Sequence, residues 1–395
     1  MKIVLAPDKY KGSLTGLEFC NIVAPILKQT VNAEVINVPL ADGGDGTIEV
    51  VNYYLNGYTI QVEVNNPLFN KIKATYLYAE ESKTAFIEMA EASGLKLLKQ
   101  EEQNCMNTTT FGTGQLILDA INKGAKHIIL GIGGSATNDC GIGMATALGY
   151  RFLDETTNQV KPIGRELINI KSIDDTHVDP QLKSVSIQIA CDVTNPLFGT
   201  NGAAHVYAKQ KGASKNDIEF LDQGLQSFSK VLDAHFNTNV QDIAGAGAAG
   251  GMGAGCVTFL NGTLSPGIEL VKQIADFDNK IKNADWIITG EGKLDSQTLS
   301  GKAIDGILDI AKEGQHPRAY EVAGQLIGQV GQTVDKLQDL QKKLKDLKEV
   351  PNKTNANIKN ALFVGSTAEL QKMLKKDENT KSKVINTKHR DISDK

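Results

Sequence analysis

Cysteine is scarce. The 395 residues hold five, at positions 20, 105, 140, 191 and 256, with no Cys-x-x-Cys pair. That excludes a disulfide framework and a thiolate zinc site, and a reducing, cytoplasmic setting is expected. An excess of one charge is missing too: 42 Lys+Arg against 46 Asp+Glu leave a net charge of −4, which excludes a protein built to coat nucleic acid. No apolar run reaches the roughly 18 residues of a membrane span. The opening MKIVLAPDKYKGS has only a short apolar stretch before Pro7 and is expected to be a strand, not a signal peptide. Several motifs are absent as well. Without Gly-x-x-x-x-Gly-Lys-Ser/Thr there is no P-loop, and without Gly-x-Ser-x-Gly no serine-hydrolase elbow. The six histidines (127, 177, 205, 235, 316, 389) show no ligand spacing. His127, in an apolar stretch, is expected in the core. His389-Arg390-Asp391 mimics a protein-kinase catalytic loop but has no Asp-Phe-Gly after it and is read as chance.

What is present is enough apolar material (41%) for real cores, and the length suggests two domains at roughly 100–200 residues each. Residues 2–6 read as a buried strand. A helix follows, with Ser13 or Thr15 as its N-cap, through Leu17, Ile22, Val23, Ile26 and Leu27, and then a strand over 35–40. Residues 59–64 and 72–78 alternate like an antiparallel pair. Further strands are expected at 85–89, 127–130, 187–190 and 285–289, and helices at 112–123, 144–148, 218–235 and 304–311. This predicts an α/β protein: a Rossmann-like parallel-sheet domain from residues 1–65 and 265–395, with an inserted mixed α/β domain over 66–264. From Gly331 onward the balance changes, with 15 Lys+Arg against 9 Asp+Glu. Val334, Leu337, Leu340, Leu344, Leu347 and Val350 there predict an amphipathic helix, either lying on the domain or binding a partner.

Glycine, at 38 residues, is in excess and collects in four polar segments beside apolar strands: 6–13, 39–47, 131–141 and 289–295. Glycine is costly to order, so the repetition points to backbone approaching a ligand. A fifth run, Gly245–Gly255, contains Gly-x-Gly-x-x-Gly. The dinucleotide reading is rejected because the stretch before it is polar and no strand leads in. Its amides could still cradle an anion, or its small residues could serve close helix packing. Carboxylates at 8, 42, 45, 139, 291 and 295 and lysines at 9, 11, 293 and 302 stand in or near these segments, Asp192 ends another apolar strand, and Lys211 is a further candidate phosphate partner. Anion cradles, lysines and loop carboxylates together suit phosphoryl transfer, which needs held phosphates, a magnesium ion and a base at the acceptor hydroxyl. The residues alone reach only as far as binding of a phosphorylated or anionic small molecule.

The ordered segments APDKYKGS, PLADGGDGT, GIGGSATNDCGIGMATALG, ACDVTNPLFG, AKQKGA, GAGAAGGMGAG and ITGEGKLDSQTLSGKA, over about residues 1–312, resemble the type I glycerate kinase family. Asp45 replaces the family's usual Glu, and Cys140 its usual Gly. The resemblance implies magnesium-assisted transfer of phosphate from ATP to D-glycerate. On matching positions, Asp192 would be the base, with Lys11 and Asp42 as further catalytic residues. Asp8, Gly43, Gly44, Ser135, Thr137, Asn138 and Asn195 would hold glycerate. Ser13, Gly247, Gly250, Gly251, Gly253, Gly290, Gly292 and Lys302 would face ATP, and Glu291 and Asp295 would hold Mg2+. The expected partners are small molecules, D-glycerate and ATP, with no nucleic acid and no membrane; a homodimer is compatible with this. The alternative is a non-catalytic regulator that binds a sugar acid or nucleotide and uses the basic C-terminal helix to bind a partner.

Overall fold

The small parallel sheet is closed by strands from distant parts of the chain. In the computed structural model, which describes residues 1–10, 13–42 and 46–290, β1 (Lys2–Leu5) lies between β2 (Glu34–Asn37) and β11 (Trp286–Ile288), with Ile3 opposite both Val35 and Trp286. All described residues lie in the first of two units of the chain, Met1–Glu321 and Val322–Lys395. The helix Gly16–Val31 joins β1 to β2. Thr15, not Ser13, caps it: the Thr15 hydroxyl accepts from the Glu18 amide at 3.1 Å and the Glu18 carboxylate from the Thr15 amide at 2.8 Å. Ser13 instead donates its amide to the Tyr10 carbonyl in a turn. Reciprocal capping of this kind satisfies two otherwise unpaired helix N–H groups.

The large sheet has six strands in the order β10-β9-β6-β5-β4-β3. β3 (Tyr58–Asn65), β4 (Lys71–Ala79) and β5 (Thr84–Glu88) pair antiparallel. β6 (His127–Gly131), β9 (Ser186–Ala190) and β10 (Thr263–Ser265) continue it in parallel. β7 (Arg151–Leu153) and β8 (Ser172–Asp174) form a separate ribbon. Both faces of the large sheet are covered, and side chains alternate between them as the two-residue period requires. Ala85, Ile87, Ile128, Leu130, Ile187 and Ile189 enter the main core, with Leu116 and Ile117 of the helix Phe111–Asn122 and Leu225 and Phe228 of the helix Lys215–Phe236. Phe86, Ile129 and Leu77 face the other way. They meet Val4 of the small sheet, Val38 and Leu40 of the segment that follows β2, and Val50, Val51, Ile268 and Val271 from the helices Thr47–Leu55 and Gly267–Ile274.

The α/β class with a parallel sheet and a mixed sheet is thus present. His127 is exposed at the first position of β6, ahead of the buried Ile128, Ile129 and Leu130; the core expectation for it fails. β3, expected in the first domain, pairs with β4 in the large sheet. The expected helices over 304–311 and 334–350 lie outside the described residues. No helix among the described residues is long and apolar enough to cross a membrane.

Candidate active site

Parallel strands deliver their following loops to one edge of a sheet, where ligands gather. The loops after β6 and β9 do so here and share a cavity of about 450 Å³, lined among others by Gly133, Gly134, Ser135, Asp192, Tyr207 and Lys211. Asp192 stands two residues beyond β9. Its Oδ1 accepts from the Gly267 amide, the first residue of the helix Gly267–Ile274, at 2.8 Å. Burial pushes its carboxyl above the usual carboxylate range, the Gly267 hydrogen bond pulls it down, and the negative charge of Asp42 pushes it up again. Asp42, beyond β2, is therefore felt electrostatically at the same carboxylate. Asn195 braces the turn: Tyr207 Oη donates to its Oδ1 at 2.6 Å, its Nδ2 donates to the Asn201 carbonyl at 2.9 Å, and its own carbonyl accepts from the Gly247 amide at 2.9 Å.

The loop after β6 is held from behind by Asp139, which is fully buried. Its Oδ2 accepts from the Thr110 amide at 2.7 Å, the Thr110 hydroxyl at 2.8 Å and the Gly143 amide at 3.3 Å, and its Oδ1 from the Gly141 amide at 3.3 Å. Every partner donates, which suits an ionised acceptor, even though burial pushes its carboxyl up. Of the loop carboxylates considered for base or metal work, Asp139 is thus engaged in fixing the loop. Ser135 sits between a bridge to Gly94 and the Lys211 ammonium, 2.6 Å from its Oγ. Thr137 Oγ1 and both polar side-chain atoms of Asn138 are buried without a partner. Each such group costs roughly 1–3 kcal/mol, so this loop keeps unused polar capacity beside the cavity.

The glycine run packs against protein. It lies at the head of the helix Ala248–Leu260, with Ala249, Gly250 and Gly251 at positive φ, after a 3₁₀ turn, Val240–Asp242, rather than a strand. A Cβ on Gly247 would stand 2.1 Å from the Pro196 carbonyl oxygen, on Gly250 2.1 Å from that of Thr137, and on Gly253 2.0 Å from that of Gly245. The amides of Gly247 and Gly251 donate to the Asn195 and Gly247 carbonyls. At these two positions the amides are occupied, and the anion cradle gives way to close backbone packing. Ala248 and Ala249 do reach the cavity wall.

A separate corner forms beyond β1 and β11. Asp8 is buried, its amide donating to the Gly290 carbonyl at 2.9 Å, and Thr289 Oγ1 donates to the Ala6 carbonyl at 2.8 Å. Ser13 is exposed nearby in sequence. Lys11, Gly43, Gly44, Glu291, Gly292, Asp295 and Lys302 lie outside the described residues, as do Asp45 and Lys293. Lys211 was legible only as one lysine among several. Its burial and its grip on Ser135 have no marker in the sequence.

The model of the Glycerate kinase family matches residues 3–364. The chain belongs to that family. It is a kinase: a glycerate kinase of Halalkalibacterium halodurans is 44% identical over 325 residues, 82% of this chain and 85% of the relative. A glycerate 2-kinase of Escherichia coli (strain K12) is 43% identical over 332 residues, 84% and 87% of the two chains. A crystal structure of a protein from Salmonella typhimurium LT2, provisionally named glycerate kinase 2, superposes with a TM-score of 0.75 at 43% identity, over 80% of this chain and 85% of that one. The family match runs past residue 312, where the motif resemblance stops. Cys140, the family's usual Gly position by that resemblance, has φ +52. The backbone there takes the left-handed form that glycine adopts freely.

Proposed function

We propose that this kinase transfers the terminal phosphoryl group of ATP to D-glycerate, with 2-phosphoglycerate as the product and 3-phosphoglycerate as the regiochemical alternative. The observation that carries the reading is the one cavity lined by Asp192 together with Ser135 and Lys211. In it, Asp192 takes the proton of the attacking hydroxyl. The new oxygen–phosphorus bond forms as the bond to ADP breaks. A base raised above the ordinary carboxylate range is better matched to an alcohol's proton than a free aspartate. Ser135, with Thr137 and Asn138 behind it, orients the acid, while Asn195 keeps the Asp192 turn rigid. The name of the Escherichia coli relative supports the 2-position.

Magnesium, when bound, neutralises phosphate oxygens. Among the described residues no group of three His, Cys, Asp or Glu could hold a metal. One or two carboxylates suffice to hold such an ion, the role expected of Glu291 and Asp295. We also infer the two-domain division, and a cytoplasmic location, which the five free thiols favour.

Purified protein with ATP, magnesium and D-glycerate is expected to release ADP in a coupled assay, and phosphorus NMR of the product assigns the hydroxyl. ADP release no greater than without glycerate would overturn the reading.

A further inference from the structure

Lys211 is 3% exposed, yet it lines the cavity. An ammonium has three donors and no acceptor. Two donors are accounted for: Nζ gives one to Ser135 Oγ at 2.6 Å and one to the Thr137 carbonyl at 2.7 Å. Among the described residues no carboxylate lies within ion-pair distance of it. Asp139 and the Cys105 thiol act on it only from further off, and Asp139 is already filled by its own four donors. A sealed cation without a counter-ion is a rare and costly arrangement. Because lysine can only donate, Ser135 Oγ must accept, and the Ser135 hydroxyl hydrogen is left for another acceptor; none of the described residues takes it.

The backbone that delivers Lys211 is unusual. A π-helical turn, Ala204–Ala208, runs into a 3₁₀ turn, Lys209–Lys211. It ends at Gly212, whose φ of +87 and approach to the Gln103 carbonyl, 1.8 Å from where a Cβ would stand, admit only glycine. π-turns gather at functional sites because the extra residue re-aims the side chains. Here the segment turns Tyr207, Gln210 and Lys211 to the same cavity.

We propose that Lys211 is the counter-ion of the substrate carboxylate: its ammonium and the Ser135 hydroxyl, which Lys211 locks as a donor, together form the acid-recognising corner of the cavity and select hydroxy acids over neutral polyols. This rests on the reading of the cavity as the acceptor site.

Burial lowers the Lys211 amine to about 8, against the upward pull of Cys105 and Asp139. Asp192 and Lys96 are the other charged groups on the cavity wall. Below pH 8 the corner is cationic, and above it the charge is lost. A bound carboxylate favours the charged form, so binding takes up a proton at pH 8–9. In wild-type full-length protein, kcat/KM for D-glycerate should fall about tenfold per pH unit above 8, with KM for ATP unchanged. Calorimetric titration with D-glycerate at pH 8.5, in two buffers of different ionisation enthalpy, should show net uptake of a fraction of a proton. Lys211→Met should raise KM for D-glycerate roughly 100-fold, with a smaller change in kcat and KM for ATP within twofold. A folded Lys211→Met with KM for D-glycerate within threefold of wild type overturns the proposal. So does zero proton uptake by the wild type, which decides the matter even if the variant fails to fold. Wild-type protein that makes no ADP from D-glycerate removes the functional reading and this corner with it. Turnover with either of the other two results removes the corner alone.

Discussion

Three influences of different kinds act on the Asp192 carboxyl, the base of the proposed reaction. The surrounding protein raises its carboxyl, the Asp42 charge raises it further, and the Gly267 amide lowers it. A base must be unprotonated to accept, so the raised value moves the acid limb of kcat/KM to higher pH than an exposed aspartate would give. Asp42→Asn removes one upward push, and the limb should move toward lower pH whatever happens to its height. An unmoved limb would mean that the two carboxylates do not interact. Asp192→Asn keeps an oxygen for Gly267 but cannot take a proton, so kcat should fall roughly 10²–10⁴-fold with the melting temperature little changed. A drop of threefold or less removes Asp192 from the role. The position of Asp192 was legible in the sequence, since a carboxylate just beyond an apolar strand of a parallel sheet arrives at its ligand edge. Asp139 follows a strand in the same way, yet the chain turns back under Thr110 before reaching it, and spacing alone cannot separate the two. Lys211 was equally opaque: nothing in Lys-Gln-Lys says which lysine turns inward until the π-turn and Gly212 are seen.

Elements with clean periodicity and caps were read well, as were the apolar strands rich in Ile, but one short helix was missed. The helix Lys215–Phe236 starts from the Ser214–Asp217 capping box and buries Leu221, Leu225, Phe228 and Leu232 at helical spacing. The helix Thr47–Leu55 is rich in Ile and Val, which favour strands, and it left no helical signal. In the Gly245–Gly255 run the sequence left an anion cradle and close packing both open, and most of its glycines answer to neighbouring backbone. Gly250 tests the distinction. Its φ is +77, and an alanine Cβ would overlap the Thr137 carbonyl. Gly250→Ala should cost about 3 kcal/mol or more and shift the Thr137–Asn138 backbone beside Ser135. Gly199 has φ +92 with nothing near its missing Cβ. Gly199→Ala should therefore cost only the left-handed penalty, about 1–2 kcal/mol. Denaturant unfolding of both variants checks this; equal losses would mean that conformation alone, and not the Thr137 contact, dictates glycine at 250.

Across the whole molecule, the two candidate acids belong to different sheets, and one apolar layer fixes their spacing. Asp42 follows β2, where Leu40 and Ala41 are buried. Asp192 follows β9, where Ala190 packs on the same cluster, and Phe86 and Ile129 of the large sheet fill the space between. The large sheet also has a second core on its opposite face, where Phe152 and Phe228 stack edge to face at 5.9 Å. The arrangement predicts two different outcomes for substitutions of similar thermodynamic weight. Ile129→Ala should lose about 2–5 kcal/mol and Phe228→Ala about 3–5 kcal/mol. Only Ile129→Ala loosens the layer under Leu40 and Ala190, so only it should also lower kcat, since displacements near 1 Å at reacting groups can cost on the order of 100-fold. Activity measured well below both melting temperatures separates the effects. If the two variants lose stability but keep the same kcat, the layer between the sheets holds the molecule together without setting the distance between Asp42 and Asp192.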